Sequence, residues 1–295
     1  MRRDSNRKYV SKADTNPTPN LAGARFEQES KLNMKDFFKN TAKYYKYVVY
    51  SVKAELKSEV AESYLSWLWW ILDPLLFMLV YSFVAVIVFG RGEQYFSAFV
   101  FIGYTSYRFF ERMLKQSVRL VQRNKSIVSR VYMPKYVLLY TEMGVDIFKM
   151  IISYLLVIGA MALYRVPLTW NVFYFLPLFI LLILISFGFS SILMNFGVYV
   201  QDLENIITVV LRLVFYMSGI FYSISKRLGD YPFWGRVLLK GNPMAFIIDQ
   251  MRNVLLYGKP MDWKFYGIWV VLSLFFIWIG LTLIKKNENS YVKVI

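Results

Sequence analysis

Across 295 residues the chain is 57% hydrophobic and 19% aromatic, carries a net charge of +16, and has no cysteine or histidine. Thiol nucleophiles, disulfides, thiolate metal sites and imidazole acid–base or zinc chemistry are thereby excluded. So much apolar surface, at a mean hydropathy of +0.40, predicts one all-α integral membrane domain rather than a water-facing globule.

Residues 1–33 hold Arg2, Arg3, Arg7, Lys8 and a polar, Pro-containing stretch without apolar period. They are expected to form a disordered basic tail, and no short apolar segment follows to make a signal peptide. From residue 34 the pattern turns amphipathic: Phe38, Tyr45, Val48, Val49, Val52, Leu56 and Val60 recur at helical spacing. This predicts a helix over 34–60 lying in the membrane interface, with Lys43, Lys46, Lys53 and Lys57 turned toward lipid phosphates. A soluble helical arm is the alternative.

Residues 61–295 carry six apolar runs, at about 67–89, 95–121, 136–164, 172–199, 205–222 and 263–284. A bilayer core needs ~20 such residues per helix, so six transmembrane helices are predicted. The second run is the weakest, because Arg108, Glu111, Arg112 and Lys115 fall in its second half. Glu111 stands three residues after Arg108 and four before Lys115, which allows local pairing. Arg108 is either a member of that pair or a contact for a phosphate inside the bundle. In the third run Asp146 and Lys149, three residues apart, are expected to satisfy one another.

After the second run, 124–134 (NKSIVSRVYMP) is a short basic segment ended by Pro134, which interrupts helix. Its Ile127, Val128 and Val131 make an apolar ridge. With Asn124 and Arg130 this is either a docking knob for a partner or a helix resting on headgroups. Between the fifth and sixth runs, Gly241-Asn242-Pro243 divides a partly apolar connection into two amphipathic pieces too short to span. Short interfacial or re-entrant helices are predicted there. The basic clusters before the first run, between the second and third, and after the sixth place those segments and both termini in the cytoplasm. The 223–262 connection, which holds Lys226, Arg227, Arg236, Lys240, Arg252 and Lys259, runs against that bias but is forced outside by six spans.

In order and spacing these features resemble the membrane subunits of ABC-2 type exporters for surface polysaccharides, the group of O-antigen, capsule and wall teichoic acid permeases. The resemblance covers roughly residue 34 to the end. It rests on the interfacial helix followed by Ser66-Trp67-Leu68-Trp69-Trp70 and Asp73-Pro74, on Pro134 after span two, and on Asp202 leading into span five. It continues in the run from Phe215 to Tyr222 and in Asn242-Pro243 with Arg252 nine residues later. Asp73 stands where the family usually has Asn, Gln201 where it has Arg, and Gly219 where it has Pro. The last departure implies a looser kink at the end of span five. Arg212 is similar to the arginine of teichoic acid permeases at this place.

The resemblance implies a permease of the bacterial cytoplasmic membrane that works as two copies, each docking an ATPase subunit through the 124–134 segment. ATP and magnesium would sit on that partner, since this chain has no G-x-x-x-x-G-K-[ST] phosphate loop. The chain itself would then be no enzyme, with no cofactor or metal of its own. Its cargo would be a lipid-linked polysaccharide passing between Trp67, Trp70, Phe77 and Tyr81 of span one and Phe215, Tyr216, Phe221 and Tyr222 of span five. Ring faces suit sugar C–H surfaces, with lipid anchoring and helix packing as their alternative uses. Arg212 and Arg108 would meet phosphate or pyrophosphate, or Arg212 would pair with Asp202, Glu142 or Asp146. Membrane lipids are expected partners and nucleic acid is not. An integral membrane enzyme acting on lipid-linked glycans, and an ABC-2 exporter of a drug or lipid, stay open as alternatives. A secondary transporter fits less well, because intramembrane acids are few and the two halves are unlike.

Overall fold

The computed structural model describes residues 34–61, 65–84, 87, 93–130 and 133–294, so the expected tail at 1–33 lies outside them. Among the described residues the regular structure is helical throughout. In chain order it comprises α1 (Met34–Ala61), α2 (Ser66–Phe83), α3 (Phe96–Arg123), α4 (Lys125–Arg130), α5 (Tyr136–Leu163), a 3₁₀ turn (Trp170–Tyr174), α6 (Phe175–Tyr199), α7 (Leu203–Met217), α8 (Ile224–Arg227), α9 (Pro232–Gly241), α10 (Pro243–Leu255) and α11 (Trp263–Val294).

Four of these units are long and apolar enough to cross a membrane: α2, α5, the 3₁₀ turn with α6, and α11. The other two expected crossings differ for distinct reasons. α3 has 28 residues, ~42 Å at 1.5 Å per residue, but its second half is charged. α7 has 15 residues, ~22 Å long, and stops at Met217 rather than 222. Gly219 there adopts φ +66°, a left-handed turn that ends helix and that a side chain would resist.

α3 is the central helix, buried along its length from Phe96 to Val121. α6 packs most extensively on α11 and next on α3. Small residues set these approaches: a Cβ at Gly197 would run into the Val118 backbone, and one at Gly280 into Ser191. Close backbone contact through small residues is how helices associate where lipid offers no hydrophobic drive.

The charges of α3 are paired within the fold. Lys115 Nζ lies 2.6 Å from Glu111 and Arg108 Nη1 3.5 Å from it, as the helical spacing predicts. Arg112 lies 3.9 Å from Asp146, Arg123 3.0 Å from Glu142, and Arg119 meets Glu204 of α7. Asp146 and Lys149 are therefore not each other's partners: Lys149 bonds Glu59 of α1 at 2.7 Å. The i, i+3 reading fails because α1 lies along α5 and brings its own carboxylate to the lysine.

α1 docks on α5 through a stripe that includes Tyr44, Tyr47, Val48, Val52 and Leu56, with Val52 set over Gly144. Tyr45 and Val60, also on the expected apolar stripe, are exposed and not packed on α5, Tyr45 at 66%. At the other end of the bundle, the break at Gly241-Asn242-Pro243 yields two short helices. Asn242 caps α10, its Oδ1 accepting from Met244 N (3.0 Å) and Ala245 N (3.4 Å), which satisfies donors left open at a helix start. α9 is mostly exposed, whereas α10 is buried from Met244 to Leu255 along its inner face.

α10 delivers Arg252, a buried guanidinium that is 4% exposed. Its Nε donates to Phe99 O (3.0 Å), Nη1 to Gly219 O (2.8 Å) and Nη2 to Ile220 O (2.6 Å), and the group lies 3.4 Å above the Phe99 ring. The end of α7 is thus pinned at Gly219, where a looser kink was expected. Gly103 leaves the room required, for a Cβ there would stand 2.6 Å from Nη2.

Arg252→Lys retains the charge but loses the planar fork, so two carbonyls go unpaired. The expected cost is about 3 kcal/mol, read as a lower midpoint of thermal unfolding in detergent, with Gly103→Ala acting in the same direction. An unchanged midpoint in both variants would show that this clamp does not hold the fold.

Candidate functional site

α2 and α7 are two thinly covered helices of the bundle. Of α2 just Pro74 is buried, and of α7 just Leu211. Both lean on the same face of α3, where Tyr104 and Tyr107 stand one turn apart. Phe77 of α2 stacks on Tyr104 (centroids 3.6 Å, 15°) and lies 4.3 Å from Tyr81. Tyr81 stacks on Phe221 (4.1 Å, 17°), and Phe221 meets the edge of Phe215 at 5.4 Å. Phe215 in turn meets Tyr107 edge-on at 5.1 Å, and the Tyr107 hydroxyl donates to Leu211 O. These stacked and edge-to-face geometries are the favourable ones for aromatic pairs.

Of the eight aromatics expected to line a path, Phe77, Tyr81, Phe215 and Phe221 therefore form one cluster that closes α2 onto α7. Tyr216 touches Phe215 edge-on at 5.4 Å, yet is 60% exposed, and the Tyr222 hydroxyl donates to Tyr216 O at 2.9 Å. Trp70 sits on the same stripe of α2 but packs against α5, where its ring meets Phe148 edge-on (6.0 Å) beneath Lys149. Trp67 is half exposed at the start of α2. Tyr104 and Tyr107 complete the cluster without having been expected. Their spacing with Arg108 and Glu111 on one face of α3 is the signal that could have found them.

Below the rings lies a polar step. The Tyr104 hydroxyl donates to Asp73 Oδ2 (3.3 Å), and Arg108 Nη2 is 3.8 Å from the same oxygen. Arg108 thus stands between Asp73 and Glu111, the latter shared with Lys115, and a phosphate would have to displace a carboxylate to reach it. The Asp that replaces the more usual Asn at position 73 is what supplies the second acid. The cavity bounded by Trp70, Asp73, Arg108, Arg112 and Lys149 is about 30 Å³, room for water rather than for a ligand.

Arg212 has the opposite surroundings. It is exposed on α7 beside Val209, Leu213 and Tyr216, and has no hydrogen bond or ion pair among the described residues. Two of the acids named as its alternative partners are engaged elsewhere, Glu142 with Arg123 and Asp146 with Arg112.

The 124–134 segment is folded differently from the expected ridge. Asn124 Nδ2 donates to Leu120 O (2.9 Å), and Asn124 O accepts from the Ile127 and Val128 amides, so one residue turns α3 into α4. Val128 is buried (5% exposed) and Ile127 packs against the core, whereas Lys125 and Ser126 face outward. A six-residue helix this close to the bundle hides its apolar side and offers a polar one. Arg130 ends α4, Val131 lies outside the described residues, and Pro134 is half-buried ahead of α5. Beneath α4, Lys135 N donates to Glu288 Oε1 (3.0 Å) and Lys135 Nζ to Val128 O (3.4 Å). The buried Tyr291 hydroxyl and Asn287 Nδ2 both donate to Asn195 Oδ1 (2.9 and 2.8 Å). The extension of α11 is thus a brace for α4, one that sequence reading missed because its partners are distant in the chain.

The chain matches the family described as ABC-2 type transporter over residues 47–256. It is 22% identical over 245 residues to an O-antigen export system permease protein, RfbA, of Myxococcus xanthus, covering 83% of this chain and 93% of that protein. An RfbA protein of the same description from Klebsiella pneumoniae is 20% identical over 242 residues, covering 82% and 92%. The polysialic acid transport protein KpsM of Escherichia coli is 21% identical over 253 residues, covering 80% and 91%. With four apolar helices of membrane-spanning length and a family match across most of its length, this chain belongs to the ABC-2 type transporter family as a multi-pass membrane protein.

Proposed function

We propose that this chain is the transmembrane permease subunit of an ATP-driven exporter that moves a lipid-linked cell-surface polysaccharide across the bacterial cytoplasmic membrane. The observation that carries this reading is the continuous ring cluster between the two thinly covered helices α2 and α7, in a chain whose relatives are named for polysaccharide export. Rings accept sugars of many sequences, because C–H faces stack by dispersion and ask for no particular hydroxyl pattern.

Six crossings are proposed, with α3 and α7 added to the four apolar ones and both termini cytoplasmic. α3 tolerates its charges through the pairs to Asp146, Glu142 and Glu204. Two copies would meet across the exposed faces of α2 and α7. The path then opens when Phe77 and Tyr81 part from Phe215 and Phe221 and turn their faces to the chain passing between them. Arg212, unengaged on α7, suits a cargo bearing phosphate or pyrophosphate, which Arg binds in a bidentate manner. Arg108 serves structure, holding α2 through Asp73. The energy comes from a separate ATPase, two copies per exporter, carrying ATP and magnesium and resting on the polar outer side of α4, with the α11 extension passing its thrust to the bundle.

The decisive experiment is co-expression with a neighbouring ATPase subunit and purification in lipid nanodiscs, with ATP hydrolysis measured with and without lipid-linked glycan. A two-plus-two complex whose hydrolysis responds to glycan is the expected result. Failure of any ATPase to associate would instead favour a membrane enzyme acting on lipid-linked glycans.

Within that complex, Phe77→Ala combined with Phe221→Ala should lower export about tenfold while leaving the complex assembled, since two stacking faces are removed. Arg212→Ala should lower export of a phosphate-bearing glycan about tenfold and Arg212→Lys less so. Parental export in both Arg212 variants would remove the phosphate contact. Lys125→Glu with Ser126→Trp alters the outward side of α4 without touching Val128, and should abolish ATPase co-purification. Retained binding there would move the docking surface elsewhere.

A further inference from the structure

At the end of the bundle opposite α4, a cavity of about 630 Å³ opens between the start of α3, the α5–α6 connection, α8 and the far end of α10. Its volume falls in the range of small-molecule sites. It is separate from the ring cluster, and nothing in the proposed transport path uses it.

The walls are held in place by hydrogen bonds. Arg252, in the floor, is fixed by its three carbonyls. Asp249 Oδ2 accepts from Gln250 Nε2 (3.2 Å) and Asn253 Nδ2 (3.0 Å), which leaves Asp249 Oδ1 without a donor among the described residues. The turn that follows α10 is strapped on both sides. Lys259 N donates to Asn253 O (2.9 Å), and Asn171 Nδ2 of the 3₁₀ turn donates to Gly258 O (2.6 Å). Gly258 holds φ +59°, and a Cβ there would stand 2.8 Å from Thr169. The cavity is therefore a preformed one.

What converges on it is the chemistry of carbohydrate recognition. The free carboxylate oxygen of Asp249 and the amide oxygen of Asn253 accept from neighbouring hydroxyls, and the Tyr257 ring offers a flat face to sugar C–H groups. Lys259 Nζ lies 5.9 Å from the centre of that ring and is ion-paired with no acid among the described residues, whereas Lys226 at the rim is bonded to Glu93. An exposed ammonium that is drawn to Asp249 without a direct ion pair, beside a ring and a hydroxyl acceptor, fits a sugar that carries a negative group.

We propose that this cavity is a second glycan site, taking a sugar unit with an anionic substituent, on the exit side of the orientation given above. It rests on the polysaccharide-export reading, and gives the emerging chain a reversible hold outside the transport path.

The test uses the full chain in lipid nanodiscs, alone and with its ATPase, probed by saturation-transfer NMR with N-acetylglucosamine 1-phosphate, glucuronic acid and neutral N-acetylglucosamine. The parent should bind both acidic sugars about tenfold more tightly than the neutral one, a difference of one opposite-charge contact. Lys259→Glu, on an exposed side chain, should remove that preference while neutral binding persists, and Asp249→Ala should lose all three sugars. A phosphate preference without uronate binding, abolished by Lys259→Glu, would narrow the substituent to phosphate and keep the site. No binding by the parent, or binding indifferent to Lys259→Glu and Asp249→Ala, would overturn it. Absent sugar binding in a chain that still assembles with its ATPase and exports would remove this site and leave the export function standing. Sugar binding by a chain that recruits no ATPase would do the reverse.

Discussion

The arrangement turns on one buried cation. Arg252 brings a guanidinium into the bundle, where an unpaired charge would be prohibitive, and recovers that cost through three backbone carbonyls and the face of Phe99. Those carbonyls belong to the first turn of α3 and to the turn that ends α7. Fixing Gly219 and Ile220 places Phe221, which closes the ring cluster on Tyr81. Fixing α10 places Asp249 and Asn253, three residues before and one after the arginine. The ring cleft and the cavity at the far end of α10 therefore share one anchor.

Beyond that anchor the bundle divides by the kind of contact that holds each helix. α3, α6 and α11 meet through small residues at close range, with Gly197 and Gly280 admitting neighbouring backbone and side chain. α2 and α7 are attached more sparingly than α1, which adds an apolar stripe on α5. α1 is held through Glu59 and Lys149, α2 through Asp73, Arg108 and the rings, and α7 through Glu204, Arg119 and the hydroxyl of Tyr107. Elements held by few apolar contacts are those that shift at low free-energy cost. α2 and α7, between which the ring cluster lies, are such elements.

The α4 end shows how far local patterning reaches. The basic segment ended by Pro134 is a turn and short helix, as its composition predicts, yet the apolar residues that made it look like a knob are folded inward at Val128. The brace under it comes from Glu288 and Tyr291, more than a hundred and fifty residues away for the Lys135–Glu288 bond. Through Lys135 and Glu288, α4 is tied to α11, and α11 packs along α6, so α4 is supported by helices remote from it in sequence.

By itself the sequence determined the all-helical membrane class, the apolar helices at α2, α5, α6 and α11, the amphipathic α1 and the break at Gly241-Asn242-Pro243. Each follows from a property local to the chain: apolar length, helical period, a capping residue before proline. It also marked Phe77, Tyr81, Phe215 and Phe221, because aromatic residues announce themselves by type. Tertiary structure alone decided that these four rings meet over Tyr104, that Lys149 pairs with Glu59 rather than Asp146, that Arg212 stays uncommitted, and that Arg252 clamps Phe99, 153 residues away. Helix formation depends on neighbours in the chain, whereas the choice of partner depends on which helices lie side by side, and the packing of the whole bundle sets that choice.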